Sequence, residues 1–322
     1  MIDITYDMLA MDVGLKLDEV VAIGPGNVKS IMDKHPDIFR GWDVSPIDGS
    51  AILYGYNQLG NPVKLGFCGE RIQRMIVFTK PKETTRYKGY LAYDGHRYSG
   101  FQIQNDQRTI QGELTEIISD INGENTLVQG CSRTDSGVHA SNFVFHFESN
   151  RLLTTTRWKE LLNYRLPHDI FVKGLEITHP LFHSRYDVLK KKYIYRIKLG
   201  DRDPLKINYE WPVKDIDIGL MEKNLKQVIG THNFLSFCKG EPEDPVRTIF
   251  SADMHVEGDQ ITLFFEGDGF LRYMIRIIVF ALVEISRKKI RYTMADLIDQ
   301  KSRKHTKHMA PAGGLYLTEI TY

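Results

Sequence analysis

Residues 130–140 read Gly130-Cys131-Ser132-Arg133-Thr134-Asp135-Ser136-Gly137-Val138-His139-Ala140. Small residues surround one Arg and one Asp, just ahead of a strand that begins near Asn142. Gly, Ser and Cys let a backbone come close to another surface. A carboxylate held in such a loop serves as a nucleophile or a base. The same residues also spell an Asx-turn, with Asp135 bonding nearby backbone N–H groups and Arg133 in solvent. Taken alone, the loop favours the plain turn. The segments around it decide.

Outward from the loop, strand and helix periods alternate. Residues 87–93 read as a strand. Residues 109–121 place Ile110, Leu114, Ile117, Ile118 and Ile121 on one helix face. Phe143, Phe145 and Phe147 share one face of the next strand. Residues 192–199 form a strand with Tyr193, Tyr195, Ile197 and Leu199 on one face. A helix over 218–229 is expected to end at Gly230. A strand over 261–265 and a mostly buried helix over 270–285 follow. This order predicts an α+β class: a mostly antiparallel sheet with helices packed on one side. Strand followed by helix near 87–121 recurs near 193–229, which hints at two similar halves.

The chain has 322 residues, a length that allows about two domains. A polar seam lies at 80–86. Before it, a small α+β segment is expected: a strand at 19–23, a turn at Gly24-Pro25-Gly26-Asn27, a helix at 28–35, a hairpin from 51–56 and 63–67, and a strand at 75–79. The Gly24-Pro25-Gly26 turn lacks the Lys and Thr spacing of a phosphate loop.

Net charge is +1, from 42 basic and 41 acidic residues, which excludes a polycation that coats nucleic acid through bulk charge. The first 86 residues carry 10 basic and 11 acidic side chains, and the other 236 carry 32 and 30. Three cysteines without a CxxC pair predict neither a disulfide framework nor a zinc site, and fit a reducing compartment. Residues 1–10 contain no apolar signal core. The most apolar run, 270–285, is broken by Arg272, Arg276 and Glu284 and falls short of the roughly 20 residues of a membrane span. A soluble, cytoplasmic protein is expected, with no membrane partner.

Further segments agree with the functional reading of the loop. Tyr93-Asp94-Gly95-His96-Arg97-Tyr98-Ser99-Gly100-Phe101-Gln102 comes first. Phe182-His183-Ser184-Arg185-Tyr186 precedes Lys191-Lys192-Tyr193-Ile194-Tyr195-Arg196. Thr231-His232-Asn233-Phe234 precedes Arg247-Thr248-Ile249. Gly269-Phe270-Leu271-Arg272-Tyr273-Met274-Ile275-Arg276 leads into the apolar helix, and Ala310-Pro311-Ala312-Gly313-Gly314-Leu315 lies near the end. In this order and spacing the chain resembles the TruA family of tRNA pseudouridine synthases. The resemblance covers residues 87–322, in two halves of roughly 87–185 and 186–322, and leaves 1–86 as an extension of unknown role.

The resemblance implies a pseudouridine synthase fold with a central cleft between the halves. It also implies isomerisation of uridine to pseudouridine in tRNA without a cofactor or metal, by a homodimer acting around positions 38–40 of the anticodon stem-loop. The family's essential Asp falls on Asp135, its Arg on Arg133, its Tyr on Tyr193, its late-helix Arg on Arg276 and its Leu on Leu315.

The chemistry needs an ionised carboxylate. The N-glycosidic bond breaks, the uracil turns, and C5 bonds to C1′ of the ribose. The carboxylate either adds covalently or assists a ribose-derived intermediate; the sequence does not choose. Arg276 is expected to pair with Asp135 and favour its charged form. Tyr193 is expected to stack on the extruded base, and Tyr195 to belong to the core. Of three basic clusters, the first (Arg185, Lys190, Lys191, Lys192, Arg196, Lys198) is expected to meet tRNA phosphates, with Arg97 and Arg133. Two departures stand out. Ser132 replaces a family Gly, which costs more if φ is positive there. Ile103 replaces an Arg of the bacterial pattern. The second leaves RNA affinity or target choice open. The altered loop and the extra N-terminal segment leave a second reading open, a non-catalytic RNA-binding paralogue on the same scaffold. A hydrolase would need a second carboxylate, which no segment supplies.

Overall fold

The computed structural model describes residues 43–44, 50–56, 62–68, 71–77 and 84–322. The strand, turn and helix expected between 19 and 35 lie outside the described residues. Strands β1 (Asp43–Val44), β2 (Ser50–Tyr56), β3 (Pro62–Cys68) and β4 (Arg71–Val77) form an antiparallel sheet in that order. The expected hairpin is β2–β3. The strand expected at 75–79 is β4, which begins four residues earlier.

The rest builds a ten-stranded sheet. Its elements are β5 (Thr85–Tyr93), α1 (Ile110–Asn122), β6 (Gln129–Gly130), β7 (His139–Ser149), α2 (Thr155–Arg165) and β8 (Ile170–Thr178). They continue with β9 (Lys190–Leu199), β10 (Trp211–Val213), α3 (Ile218–Leu225), β11 (Gly230–Asn233), β12 (Val246–Glu257), β13 (Gln260–Gly267), α4 (Met274–Ser286), α5 (Met294–Asp299) and β14 (Leu315–Thr321). Along the sheet the order is β11-β12-β13-β9-β14-β7-β5-β8. All neighbours on this path are antiparallel except β14 and β7.

This order contains the same unit twice. Strand β5 is followed by α1, β7, α2 and β8, and lies between β7 and β8. Strand β9 is followed by α3, β12–β13, α4 and β14, and lies between β13 and β14. The halves meet where β14 runs parallel to β7. The two-halves hint from the sequence is therefore a real topological repeat.

Local chemistry explains the boundaries. Thr109 caps α1 by accepting from the Gly112 N–H at 3.2 Å, and Gly123 ends it in the left-handed region at φ +74°. Alternate residues of β5, β9 and β13 are buried, so one face of each strand enters the core. Ten of the 13 residues of α4 are buried, which makes it a core helix. Two helix readings shift. The helix expected over 218–229 ends at Leu225, a 3₁₀ turn over Lys226–Val228 follows, and Gly230 opens β11. Helix α4 starts at Met274, four residues later than its apolar run, because Tyr273 has φ +64° and cannot extend the helix backward. Among the described residues no helix is long and apolar enough to cross a membrane.

Candidate active site

Asp135 sits in the loop between β6 and β7, at the junction of the two halves. The loop is held by backbone bonds from the segment after β5. The Phe101 N–H donates to the Thr134 carbonyl at 3.2 Å, and the Gly137 N–H to the Tyr98 carbonyl at 3.3 Å. Gly100 makes this approach possible. It has φ +89°, and a Cβ there would lie 2.5 Å from the Thr134 carbonyl oxygen. The Thr134 hydroxyl is bonded to the Tyr93 hydroxyl at 2.8 Å. The loop is thus fixed on one side by the whole 93–102 segment.

On the other side stands the first turn of α4. The Arg276 guanidinium donates through Nη1 to Oδ2 of Asp135 at 3.2 Å, and through Nε to the Ala310 carbonyl at 2.8 Å. The second bond aims the first. Both side chains are mostly buried. Burial raises the Asp135 pKa above the ordinary carboxylate value, and Arg276 only partly offsets it. The expected pairing is present and Arg276 favours the charged form as expected, but desolvation outweighs the cation.

Tyr193 completes the floor. It is buried, its hydroxyl lies 3.1 Å from the Ser132 Oγ, and its ring meets Phe270 edge-on at 5.4 Å. Burial raises its pKa, so the phenol stays protonated at neutral pH. Tyr195 donates its hydroxyl to the Pro311 carbonyl at 2.8 Å and is fully buried, as a core residue. Leu315 opens β14 beside them.

Asp135, Arg276, Tyr193, Arg133 and Leu315 all line one cavity of about 1100 Å³. Six basic residues line it (Arg133, Arg185, Lys191, Arg247, Arg272 and Arg276) against three acids, Asp135, Glu243 and Asp244. The structure divides the first basic cluster by strand parity. Lys191 shares its face with Tyr193 and donates to the Cys131 carbonyl at 2.9 Å, and its burial lowers its pKa. Lys192 and Arg196 point the other way. Lys192 pairs with Glu319 at 3.0 Å and Glu266 at 3.3 Å. The Arg196 guanidinium stacks over Tyr316 at 4.6 Å. Arg97 lines a separate pocket of about 700 Å³ with Asp94, Arg108 and Tyr209.

The site includes residues not singled out from the sequence. Arg247, Arg272 and Tyr273 line the cavity, and the guanidiniums of Arg272 and Arg276 lie 5.0 and 5.5 Å from the Tyr273 ring. All three stood inside the quoted motifs; the positive φ that turns Tyr273 into the cavity has no sequence signal. Ser132 has no positive φ, so its replacement of Gly carries no backbone penalty. Ile103 is exposed and outside the cavity lining. Among the described residues no group of three or more His, Cys, Asp and Glu side chains could hold a metal ion.

The chain matches the family described as tRNA pseudouridine synthase over residues 91–187 and 225–322. It is 38% identical over 242 residues to tRNA pseudouridine synthase A of Anoxybacillus flavithermus, covering 74% of this chain and 98% of the relative. The chain belongs to the tRNA pseudouridine synthase family. Identity is 37% over 245 residues with tRNA pseudouridine synthase A of Geobacillus kaustophilus, and 38% over 244 residues with tRNA pseudouridine synthase A 1 of Bacillus cereus. These alignments cover 74% of this chain and 95% and 98% of the relatives. The resemblance read from the loop and its neighbours is therefore borne out. This pseudouridine synthase also carries about a quarter of its length beyond what nearly the whole of each relative matches.

Proposed function

We propose that residues 87–322 form a catalytic domain that isomerises uridine to pseudouridine in the anticodon stem-loop of tRNA, around positions 38–40. The supporting observation is the Asp135–Arg276 pair at 3.2 Å on the floor of a basic cavity open to solvent. Asp135 is the catalytic residue. It attacks or stabilises C1′ of the target ribose while the bond to N1 breaks, and C5 then takes the place of N1. The C5 proton leaves and N1 gains one, so no cofactor is consumed. Arg276 keeps Asp135 oriented and ionised. Tyr193 presents a neutral hydroxyl and a ring face to the extruded base, offsetting part of the cost of unstacking. Leu315 closes the apolar side. Arg133, Arg185, Arg247 and Arg272 meet phosphates, which position the RNA without reading its sequence. We assign Arg97, Lys192 and Arg196 to peripheral RNA contacts at most, because each lies away from the cavity.

The family resemblance supports a cytoplasmic homodimer whose subunits share one tRNA; sedimentation with and without tRNA measures this. The reaction is tested with tRNA transcribed from uridine tritiated at C5. Isomerisation releases that hydrogen to water. Release is expected from the unaltered chain, and none from a tRNA with cytidine at positions 38–40. Asp135→Asn is expected to release no tritium above background while binding tRNA within about threefold, since the phosphate contacts are untouched. Tritium release by that variant would overturn the assignment. Salt-sensitive binding with no release by the unaltered chain would select the non-catalytic paralogue.

A further inference from the structure

The N-terminal sheet lies outside the family match, yet among the described residues two of its side chains reach into the matched region. Tyr54 on β2 and Lys64 on β3 are register partners across the hairpin. Both converge on Asp187, which is 1% exposed. The Lys64 ammonium is ion-paired with one carboxylate oxygen, and the Tyr54 hydroxyl donates to the other. That second oxygen also accepts from the His183 N–H at 2.6 Å, which closes the turn over residues 183–187. Lys64 further donates to the Leu181 carbonyl at 3.5 Å, and the Tyr54 ring lies 5.3 Å from the His179 ring. One two-residue hook therefore grips the 179–187 segment at several points.

The 183–187 turn matters because of what else it carries. Arg185, two residues before Asp187, lines the basic cavity. Ser184 fixes the turn to the catalytic side: its hydroxyl donates to the Gln129 carbonyl on β6 at 3.0 Å, two residues before the Asp135 loop begins. A carboxylate buried like Asp187 needs a partner charge, and a chain lacking this pair would have to reposition it. The partner charge here comes from Lys64, in the part of the chain outside the family match.

We propose that Tyr54 and Lys64 are positioning residues: the N-terminal sheet sets the 183–187 turn so that Arg185 meets a tRNA phosphate. This rests on the reading of the cavity as a tRNA site. The extension thus tunes RNA affinity rather than chemistry. It does so without contacting RNA, which agrees with the slight acidic excess of residues 1–86.

The test uses the full chain and four variants: Lys64→Met, Lys64→Arg, Arg185→Ala and the double Lys64→Met/Arg185→Ala. Binding to tRNA and tritium release are measured separately. Arg185→Ala is expected to weaken tRNA binding roughly tenfold, the loss of one charge-assisted contact. Lys64→Met is expected to weaken binding to a similar degree and raise KM, with kcat within about twofold. Lys64→Arg restores most of the affinity. The decisive variant is the double. If Lys64 acts through Arg185, it binds no more weakly than Arg185→Ala alone; a merely structural role would multiply the two losses. Unchanged binding in Lys64→Met, or multiplied losses in the double, overturns the proposal. Should Lys64→Met fail to fold, Tyr54→Phe replaces it, with the same non-additive pattern expected at smaller size. Absence of tritium release from the unaltered chain would overturn the functional reading instead, and leaves the binding test standing.

Discussion

Asp135 and Arg276 oppose two physical effects on one carboxylate. Burial favours the protonated acid; the guanidinium favours the anion; burial is the larger. In the proposed mechanism only the anion attacks or stabilises C1′, so activity is expected to disappear as pH falls through the Asp135 pKa. That acid limb should lie above the range of an ordinary aspartate. Arg276→Met removes the lowering effect and leaves burial in place. The limb of kcat/KM against pH should then move to higher pH, and kcat at neutral pH should fall by at least about tenfold, as for one lost charge-assisted bond. A pH–rate series on both proteins checks it, and an unmoved limb would exclude the pair as the control on ionisation. The pairing was legible in the sequence because both residues stood in recognisable motifs. The sign of the net shift was not, because desolvation depends on how tightly β6, β7 and α4 close around the acid, and no local residue pattern encodes that.

Element boundaries show the same division. Thr109 and Gly123 punctuate α1 as their chemistry dictates, so that helix was readable almost to the residue. Helix α4 was not, because its apolar run continues past its true start into Phe270, Leu271 and Tyr273, and tertiary contacts turn those residues into the cavity. The basic cluster after residue 185 read as one RNA-binding surface, but strand parity on β9 sends Lys191 and Lys192 to opposite faces. The 93–102 segment is the element that most directly sets the loop. Gly100 touches the Asp135 backbone: a Cβ would lie 2.5 Å from the Thr134 oxygen and 3.1 Å from the Asp135 carbonyl carbon. Gly100→Ala adds that clash to the penalty of an alanine at positive φ. We expect destabilisation by more than about 1 kcal/mol, with a fall in kcat greater than the fall in folded fraction. Calorimetry alongside kcat checks it; wild-type kcat would show that the loop does not rest on Gly100.

At the scale of the molecule, a net charge of +1 says little about RNA, and the repeat explains why. Two similar halves meet at the parallel β14–β7 seam, and both contribute cations to one cavity. Arg133 comes from the first half, and Lys191, Arg247, Arg272 and Arg276 from the second. The six basic and three acidic residues there give the cavity a local excess of three positive charges, three times that of the whole chain. Binding driven by such a patch must release counterions. The slope of log affinity against log salt measures how many phosphates are neutralised, at about 0.7 to 0.9 per contact. Arg133 is exposed, lines the cavity and makes no salt bridge among the described residues, so its charge is available to a phosphate. Arg133→Ala should therefore reduce the steepness of that slope by about one contact. Lys192→Ala should leave it unchanged, since Glu266 and Glu319 already neutralise that ammonium on the opposite face of β9. Equal slopes for Arg133→Ala and the unaltered chain would mean that tRNA lies elsewhere on the surface. A reduced slope for Lys192→Ala would mean that it extends round to the far side of the sheet.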